Sequence, residues 1–238
     1  MTKIADSIQK YIELDNIDKI KTVPNIENWS FLPISCSIKV FGQNLDYPNI
    51  VQYAAYKGAA KCLTFILQHV PEHLDSSPNS IGFHTQNPYP LLHLGVLGGN
   101  YECVQVIVLL SSVNPNFDIN QVDAFNFSAL HFAAYDNSLF ENDSLTLSLK
   151  TAHKTLLLHE ITNDNVSLES KIQIVNYLYS KGGDLFKENG LSDSPLVFSL
   201  MNNIPLFNHF IFLLMRDNPI SLNKLYEEKV RNYGIPGV

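Results

Sequence analysis

The chain has 238 residues, of which 45% are hydrophobic and 16% are charged, and its formal net charge is −7. The length suits one large domain or two small ones, and the apolar fraction excludes a wholly disordered chain. The acidic balance argues against a general binder of nucleic acid or of anionic membranes.

Residues 1–48 are predicted to form a short helical cap followed by an irregular segment. Apolar residues recur at helical spacing on both sides of Asp15-Asn16, which favours two short helices. No apolar run there is long enough for a secretory signal. Residues 24–48, which include Trp29 and Phe31, have no pattern that assigns them to an element.

Four later segments share one pattern, in which a cap or turn residue precedes an apolar residue, two mostly small residues and a final Gly or Asn. They begin at Asn49, Pro90, Ser128 and Ser194. Each predicts a short first helix, because Ser and Asn cap helix N-termini and Gly or Asn tolerates the left-handed conformation at the C-terminus. The small residues that would let neighbouring helices approach closely are Ala54, Gly95, Ala133 and Ser199.

A second helix is predicted after each first helix, from apolar residues that recur at helical spacing. These residues are Cys62, Leu63, Ile66 and Leu67; Cys103, Val104, Ile107 and Val108; Ile174, Val175, Leu178 and Tyr179; and Phe207, Ile211 and Phe212. Such stripes are too broad for an isolated helix pair to bury. Stacked helix pairs with a shared core would bury them, so we predict an all-α chain of the α-solenoid class.

The pattern resembles the ankyrin repeat, whose hallmark is Thr-Pro-Leu-His-x-Ala-Ala, a Gly, and a second helix that ends in Gly-Ala-Asp. The similar stretches are Ser128-Ala129-Leu130-His131-Phe132-Ala133-Ala134, Leu92-His93-Leu94-Gly95, Gly182-Gly183-Asp184 and, for one β-turn finger, Asp123-Ala124-Phe125-Asn126. The resemblance covers about four divergent repeats over residues 49–214. It implies an ankyrin-type stack between an N-terminal cap (1–48) and a C-terminal cap and tail (215–238).

The first two spacings exceed the family period of about 33 residues. Both the step from Ala54 to Gly95 and the step from Gly95 to Ala133 are longer than that. We therefore expect elongated fingers in residues 71–88 and near residues 111–120.

The third spacing, from Ala133 to Ser199, covers about two family periods. An extra helix is predicted over residues 144–161, and we interpret residues 138–170 as an insertion in the third repeat. The remnant of a fifth repeat is the alternative. After the last repeat, a final helix is predicted over residues 221–230.

The resemblance implies a non-enzymatic module that binds another protein through a concave face, lined by fingers and by the outer positions of the first helices. The residues at those positions are Tyr56, Lys57, Tyr89, Leu97, Phe125, Phe127, Tyr135, Asp136, Met201 and Asn202. Aromatic side chains that face water are typical anchors of protein interfaces. For Tyr89, Phe125 and Phe127, the alternative is that elongated fingers fold back and bury them.

Two histidines, His93 and His131, occupy the Leu-His position of the family. The resemblance implies that each imidazole bridges loop backbone groups of adjacent repeats. A catalytic histidine pair is the less favoured alternative, since the other two repeats carry Gln52 and Val197 at this position.

No metal site is predicted. His69 and His73 have ligand-like spacing, but Pro71 lies between them and no cysteine knuckle accompanies them. His159-Glu160 lacks the second histidine of a zinc-protease motif. No cofactor is expected either, because the chain has no phosphate-binding loop and no dinucleotide fingerprint.

The three cysteines, Cys36, Cys62 and Cys103, have no framework spacing, which favours reduced thiols in a cytoplasmic protein. Cys62 and Cys103 align at an apolar helix position, where core packing is preferred over nucleophilic catalysis. The longest apolar runs, Val106–Leu110 and Phe210–Met215, are too short to span a bilayer, so no membrane partner is expected.

Two alternatives to the binding module stay open. A pathogen effector would use the same fold to engage proteins in the host cytoplasm, and abundant Asn and Ile with few Gly fit an AT-rich genome. A hydrolase or transferase site on the insertion would need His153, His159 or Asp164 to converge on a pocket. For the favoured module we expect a monomer.

Overall fold

A computed structural model describes residues 2–29, 32–41, 43–71, 89–135, 159–161, 166–218 and 220. These residues are mostly helical and include one small sheet. The helices are α1 (Thr2–Glu13), α2 (Ile17–Ile20), α3 (Ile26–Trp29), α4 (Ile50–Lys57), α5 (Ala60–His69), α6 (Leu91–Leu97), α7 (Tyr101–Ser111), α8 (Ala129–Ala134), α9 (Leu168–Ser180), α10 (Pro195–Asn202) and α11 (Ile204–Asp217). The strands are β1 (Cys36–Val40), β2 (Gln43–Asp46) and β3 (His159–Ile161).

The helices from α4 onward pack as four consecutive pairs, which we call units 1 to 4: α4–α5, α6–α7, α8–α9 and α10–α11. The first helices of the units contact one another in chain order, and so do the second helices. The buried small residues Ala54, Gly95, Ala133 and Ser199 lie on the first helices. Their size lets backbones approach closely, so each unit shares its core with its sequence neighbours.

The first helices begin where the cap residues predict. The side chain of Asn49 accepts a hydrogen bond from the Gln52 N–H, and that of Ser194 accepts one from the Val197 N–H. At the other end of α4, Gly58 has a φ of +78°. Glycine adopts this left-handed conformation without steric cost, and it ends the helix there.

The turns before α8 and α10 repeat one backbone conformation. Asn126 and Ser192, each two residues before a helix cap, both have a φ of +63°, and Tyr47 at the same position before α4 has a φ of +53°. Earlier in the two turns, Asp123 and Asn189 hold the chain by accepting backbone N–H groups at their Oδ1 atoms. These turns thus have similar backbone conformations at the same distance before a first helix.

Residues 24–48 contain a β-hairpin that the sequence does not predict. β1 pairs antiparallel with β2, with Val40 opposite Gln43, and parallel with β3, with Cys36 opposite His159, in the order β2-β1-β3. Cys36, Ile38 and Val40 are fully or almost fully buried. The all-α class is therefore wrong in this one respect, because alternate side chains of a strand join the helical core here.

The N-terminal helices cover the end of the stack at unit 1. Ile8 and Ile12 of α1 are buried, and α1 packs on α4. Asp15, after α1, accepts the N–H of Cys62 at 2.9 Å and so caps α5. That helix follows Ala59, whose side chain has no acceptor, so the cap comes from another element.

Parts of three predicted elements fall on residues that the structure does not describe. They are the finger over 72–88, the C-terminal helix over 221–230 and most of the extra helix over 144–161. Residues 159–161, at the end of that last segment, form β3, so they are not part of a helix. None of the described helices has the length and apolarity needed to cross a membrane.

Candidate functional site

Four of the ten predicted binding residues are buried: Tyr56, Tyr89, Leu97 and Tyr135, none of which is more than 7% exposed. The expectation that they face water is wrong. The first helices α4, α6 and α8 each contact a helix on both sides, so these four side chains pack into the shared core. Tyr89 is buried as its alternative predicts, whereas residues 72–88 of its finger lie outside the described residues.

The other predicted residues are spread over several environments. Lys57, Phe125 and Met201 are exposed, whereas Phe127 and Asn202 are partly buried. Asp136 lies outside the described residues. The exposed members belong to different parts of the chain: Lys57 ends α4, Phe125 lies in the turn before α8, and Met201 lies in α10.

Phe41, at the tip of the β1–β2 hairpin, explains part of this burial. Its ring centroid lies 4.7 Å from that of Phe127, 4.6 Å from Phe132, 4.4 Å from Tyr135 and 6.0 Å from Phe198. We call these four residues the aromatic socket. The hairpin tip thus reaches across the chain to units 3 and 4, a contact that sequence spacing does not reveal.

A pair of exposed apolar residues lies at the tips of the turns before α8 and α10. Phe125 is 45% exposed, and Leu191, at the equivalent position of the next turn, is 73% exposed. The two turns are joined, because the N–H of Gly190 donates to the Phe125 carbonyl at 3.1 Å. Sequence reasoning finds Phe125 but misses Leu191, which becomes visible only when the two turns are aligned.

The two histidines of the Leu-His position join successive units. Nε2 of His93 lies 2.9 Å from the Phe127 carbonyl oxygen, and Nε2 of His131 lies 2.9 Å from that of Asp193. A carbonyl only accepts, so each neutral imidazole donates from Nε2. Burial lowers the pKa of His93 to about 3 and that of His131 to about 4, which keeps both rings neutral at pH 7.

The other ring nitrogen differs between the two histidines. Nδ1 of His131 accepts the Ser128 N–H at 3.0 Å. At the equivalent position before His93, the chain has Pro90, which carries no N–H. Within the described part of the chain, His93 Nδ1 has no hydrogen-bond partner although it is fully buried.

We expect Pro90→Ser to stabilise the protein by about 1 kcal/mol. The change supplies an N–H for His93 Nδ1 and a hydroxyl that caps α6, and these gains exceed the lost rigidity of proline. The backbone at Pro90 (φ −58°, ψ 150°) is already close to that of the cap Ser128. Urea melts would measure the difference, with Pro90→Ala, which restores only the N–H, as the intermediate control. A serine variant no more stable than wild type would contradict the assignment.

The described residues form neither a metal-binding cluster nor an activated cysteine nucleophile. Burial raises the pKa of each thiol, Cys36, Cys62 and Cys103, to about 12, so all three are protonated at pH 7. No group of three His, Cys, Asp or Glu residues in this part of the chain could hold a metal ion. His73, His153, Asp164 and the side chain of His159 lie outside it.

No protein-family model and no curated protein matches this chain. The functional proposal therefore uses the surface residues of this protein alone. The buried polar groups described above bond to backbone atoms and hold the units together. Among the described residues, Phe125 and Leu191 at the turn tips are two of the exposed apolar side chains that a ligand could contact.

Proposed function

We propose that the protein is a non-enzymatic ankyrin-type module that binds another protein. Three observations support the ankyrin-type fold: helix pairs that contact in chain order, equivalent turns before the first helices, and imidazoles that bond to the turn of the next unit. Nearest-neighbour contacts of this kind are the basis of solenoid stability. These three observations concern the fold and do not indicate where a partner binds.

The exposure of Phe125 and Leu191 on adjacent turn tips supports one location for the binding surface. Neither side chain is needed to bury the core, and a backbone hydrogen bond from Gly190 to Phe125 joins the two turns. Paired apolar side chains on an ordered edge are suited to anchor a partner protein, because their removal from water stabilises a complex. We therefore place the binding surface on the turn tips of units 3 and 4.

Replacing both anchors by Ala should reduce recovery of the natural partner about tenfold, the effect of losing about 1.4 kcal/mol of binding energy. Affinity capture from cell lysate followed by quantitative mass spectrometry would measure recovery for wild type and for Phe125→Ala with Leu191→Ala. Because both side chains are exposed, the free energy of unfolding should stay within about 0.5 kcal/mol of wild type.

The matched control is Leu109→Ala with Val113→Ala, which removes two exposed apolar side chains, one near the end of α7 and one just after it. This control should recover the partner as well as wild type does. Equal recovery by the turn-tip variant would rule out the proposed surface.

A further inference from the structure

The dipeptide Asn189-Gly190, in the turn before α10, has a chemical reactivity that the proposed function does not use. It is the only place in the sequence where glycine follows asparagine. An asparagine in this position can convert to aspartate by reaction with its own backbone. Glycine permits the reaction because it has no Cβ to keep its nitrogen away from the side-chain carbonyl carbon of the asparagine.

The conversion needs only base and water. Base removes the proton of the Gly190 N–H, and the nitrogen attacks Cγ of Asn189 within the same chain. The new N–Cγ bond closes a succinimide ring while the Cγ–Nδ2 bond breaks, and Nδ2 takes up a proton and leaves as ammonia. Water then opens the ring. Addition at Cγ breaks the new N–Cγ bond and gives aspartate, whereas addition at the main-chain carbonyl carbon breaks the peptide bond and gives isoaspartate.

The fold restrains both reacting groups. The Gly190 N–H donates to the Phe125 carbonyl at 3.1 Å, so the proton that has to leave is held in a hydrogen bond. Oδ1 of Asn189 accepts the N–H of Leu191 at 2.8 Å and that of Asp193 at 3.0 Å, which fixes the side chain. Because Asn189 is only 6% exposed, hydroxide and water have little access to it. The reaction therefore requires the turn to open.

The turn is also suited to hold the product aspartate. Asp123 lies at the equivalent position before α8, where its Oδ1 accepts the N–H groups of Phe125 and Phe127, both at 2.9 Å. The other terminal side-chain atoms, Oδ2 of Asp123 and Nδ2 of Asn189, are buried and have no hydrogen-bond partner within the described chain. Replacement of Nδ2 by oxygen thus breaks no hydrogen bond there. Isoaspartate would disrupt the turn, because it adds an atom to the main chain.

We propose that Asn189 is a self-modification site, and that opening of the unit 4 turn (residues 189–193) sets the rate at which it becomes aspartate. The conversion places a carboxyl group two residues before Leu191. The inference goes beyond the proposed function and does not depend on it, since the reaction involves this chain and water alone.

Mass spectrometry and hydrogen exchange together test the proposal on the wild-type protein, because both reactions begin with removal of the Gly190 amide proton. The protein is kept at mildly alkaline pH with and without concentrated urea, and tandem mass spectrometry follows the conversion of each asparagine. In urea, Asn189 should convert about tenfold or more faster than the other asparagines. Without urea, the fold should slow this conversion and Gly190 amide exchange, measured by NMR, by factors that agree within about threefold.

Three results would overturn the proposal. If Asn189 converts in urea no faster than the other asparagines, it is not a modification site. If it converts in the folded protein much faster than Gly190 exchange predicts, it reacts while the turn is closed. If it converts much more slowly than exchange predicts, opening of the turn is not sufficient for reaction.

The chemical control is Gly190→Ala, because the added Cβ hinders attack by the backbone nitrogen. In the folded protein this Cβ would lie 2.9 Å from the Phe125 carbonyl oxygen, so the variant is compared with wild type only in urea. There the conversion of Asn189 should be about tenfold or more slower than in wild type. An unchanged rate would contradict the succinimide route.

Asn189→Asp and Asn189→Ala test whether the turn accepts the product. The aspartate variant keeps an acceptor for the N–H groups of Leu191 and Asp193, so both amides should exchange as slowly as in wild type. The alanine variant removes this acceptor, and the same amides should exchange about tenfold faster. Equally fast exchange in the two variants would mean that the turn does not accept aspartate, and this part of the proposal would fail.

Discussion

Lowering the pH from 7 to 5 should remove roughly 4 kcal/mol from the free energy of unfolding, because His93 and His131 are buried as neutral rings. In the unfolded chain both take up a proton near the ordinary histidine pKa of 6.5, whereas in the fold the pKa values are about 3 and about 4. The unfolded state therefore binds more protons in this window. The contribution of the two neutral rings to the free energy of unfolding is fully present above pH 6.5. It falls by roughly 2 kcal/mol per ring by pH 5.

Urea melts at pH 7, 6 and 5 would measure this loss. The matched variants are His93→Gln and His131→Gln, since unit 1 already has Gln52 at this position, where its side chain accepts the Asn49 N–H at 2.8 Å. Each variant should remove about half of the pH dependence of the free energy of unfolding, even if it also lowers that free energy at pH 7. A wild-type protein equally stable at pH 7 and pH 5 would contradict the buried neutral state of both rings.

Gly98→Ala should destabilise the protein by about 3 kcal/mol, the upper end of the usual cost of overpacking. A Cβ at this position would lie 2.2 Å from the carbonyl oxygen of Tyr56, so α4 and α6 would have to move apart. The backbone itself accepts alanine, because Gly98 has the ordinary helical φ of −66°. By its backbone alone, the substitution would be stabilising, since alanine restricts the unfolded chain.

Gly182→Ala is the matched control, because there the backbone conformation disfavours alanine but the surroundings leave room for its Cβ. Its φ of +91° disfavours alanine, but no described atom lies within 4 Å of the added Cβ. We expect a cost of about 1 kcal/mol from backbone strain alone. Thermal or urea melts of both variants would separate the two causes. A Gly98→Ala protein as stable as the Gly182→Ala protein would show that units 1 and 2 are not in close contact there.

The helix pairs could be predicted because local chemistry determines where each helix begins and ends. Asn49 and Ser194 cap their helices as the sequence indicates, and Gly58 ends α4 in the left-handed conformation. These signals act within one turn of helix and need no tertiary contact. The four small residues also fall on contacting first helices, since close packing selects for size.

The exposed and buried faces of the first helices could not be predicted in the same way. In α4, seven of the eight residues are buried, from Ile50 through Tyr56, so no polar face marks the direction of solvent. A short helix that is apolar all round carries no amphipathic signal. The predicted exposure of Tyr56 and Tyr135 failed for this reason, and Tyr135 is in addition in contact with the Phe41 ring.

The hairpin was missed because its partners are distant in sequence. β1 is five residues long, and its tip residue Phe41 contacts rings from units 3 and 4. No spacing rule relates a loop residue to such a socket. The local signals are the alternation of apolar and polar residues over Cys36–Val40 and the unusual Phe41 before Gly42, and neither signal indicates what the hairpin contacts.

The parallel pairing of β1 with β3 has a consequence for how the protein folds. Contacts between successive units are short-range in sequence, and arrays held only by such contacts can fray from one end. Cys36 and His159, in contrast, come from opposite halves of the chain. This pairing closes a long loop, which slows folding, and it couples loss of the N-terminal hairpin to loss of the third unit. The molecule should therefore unfold as one cooperative body, without stepwise melting from its ends.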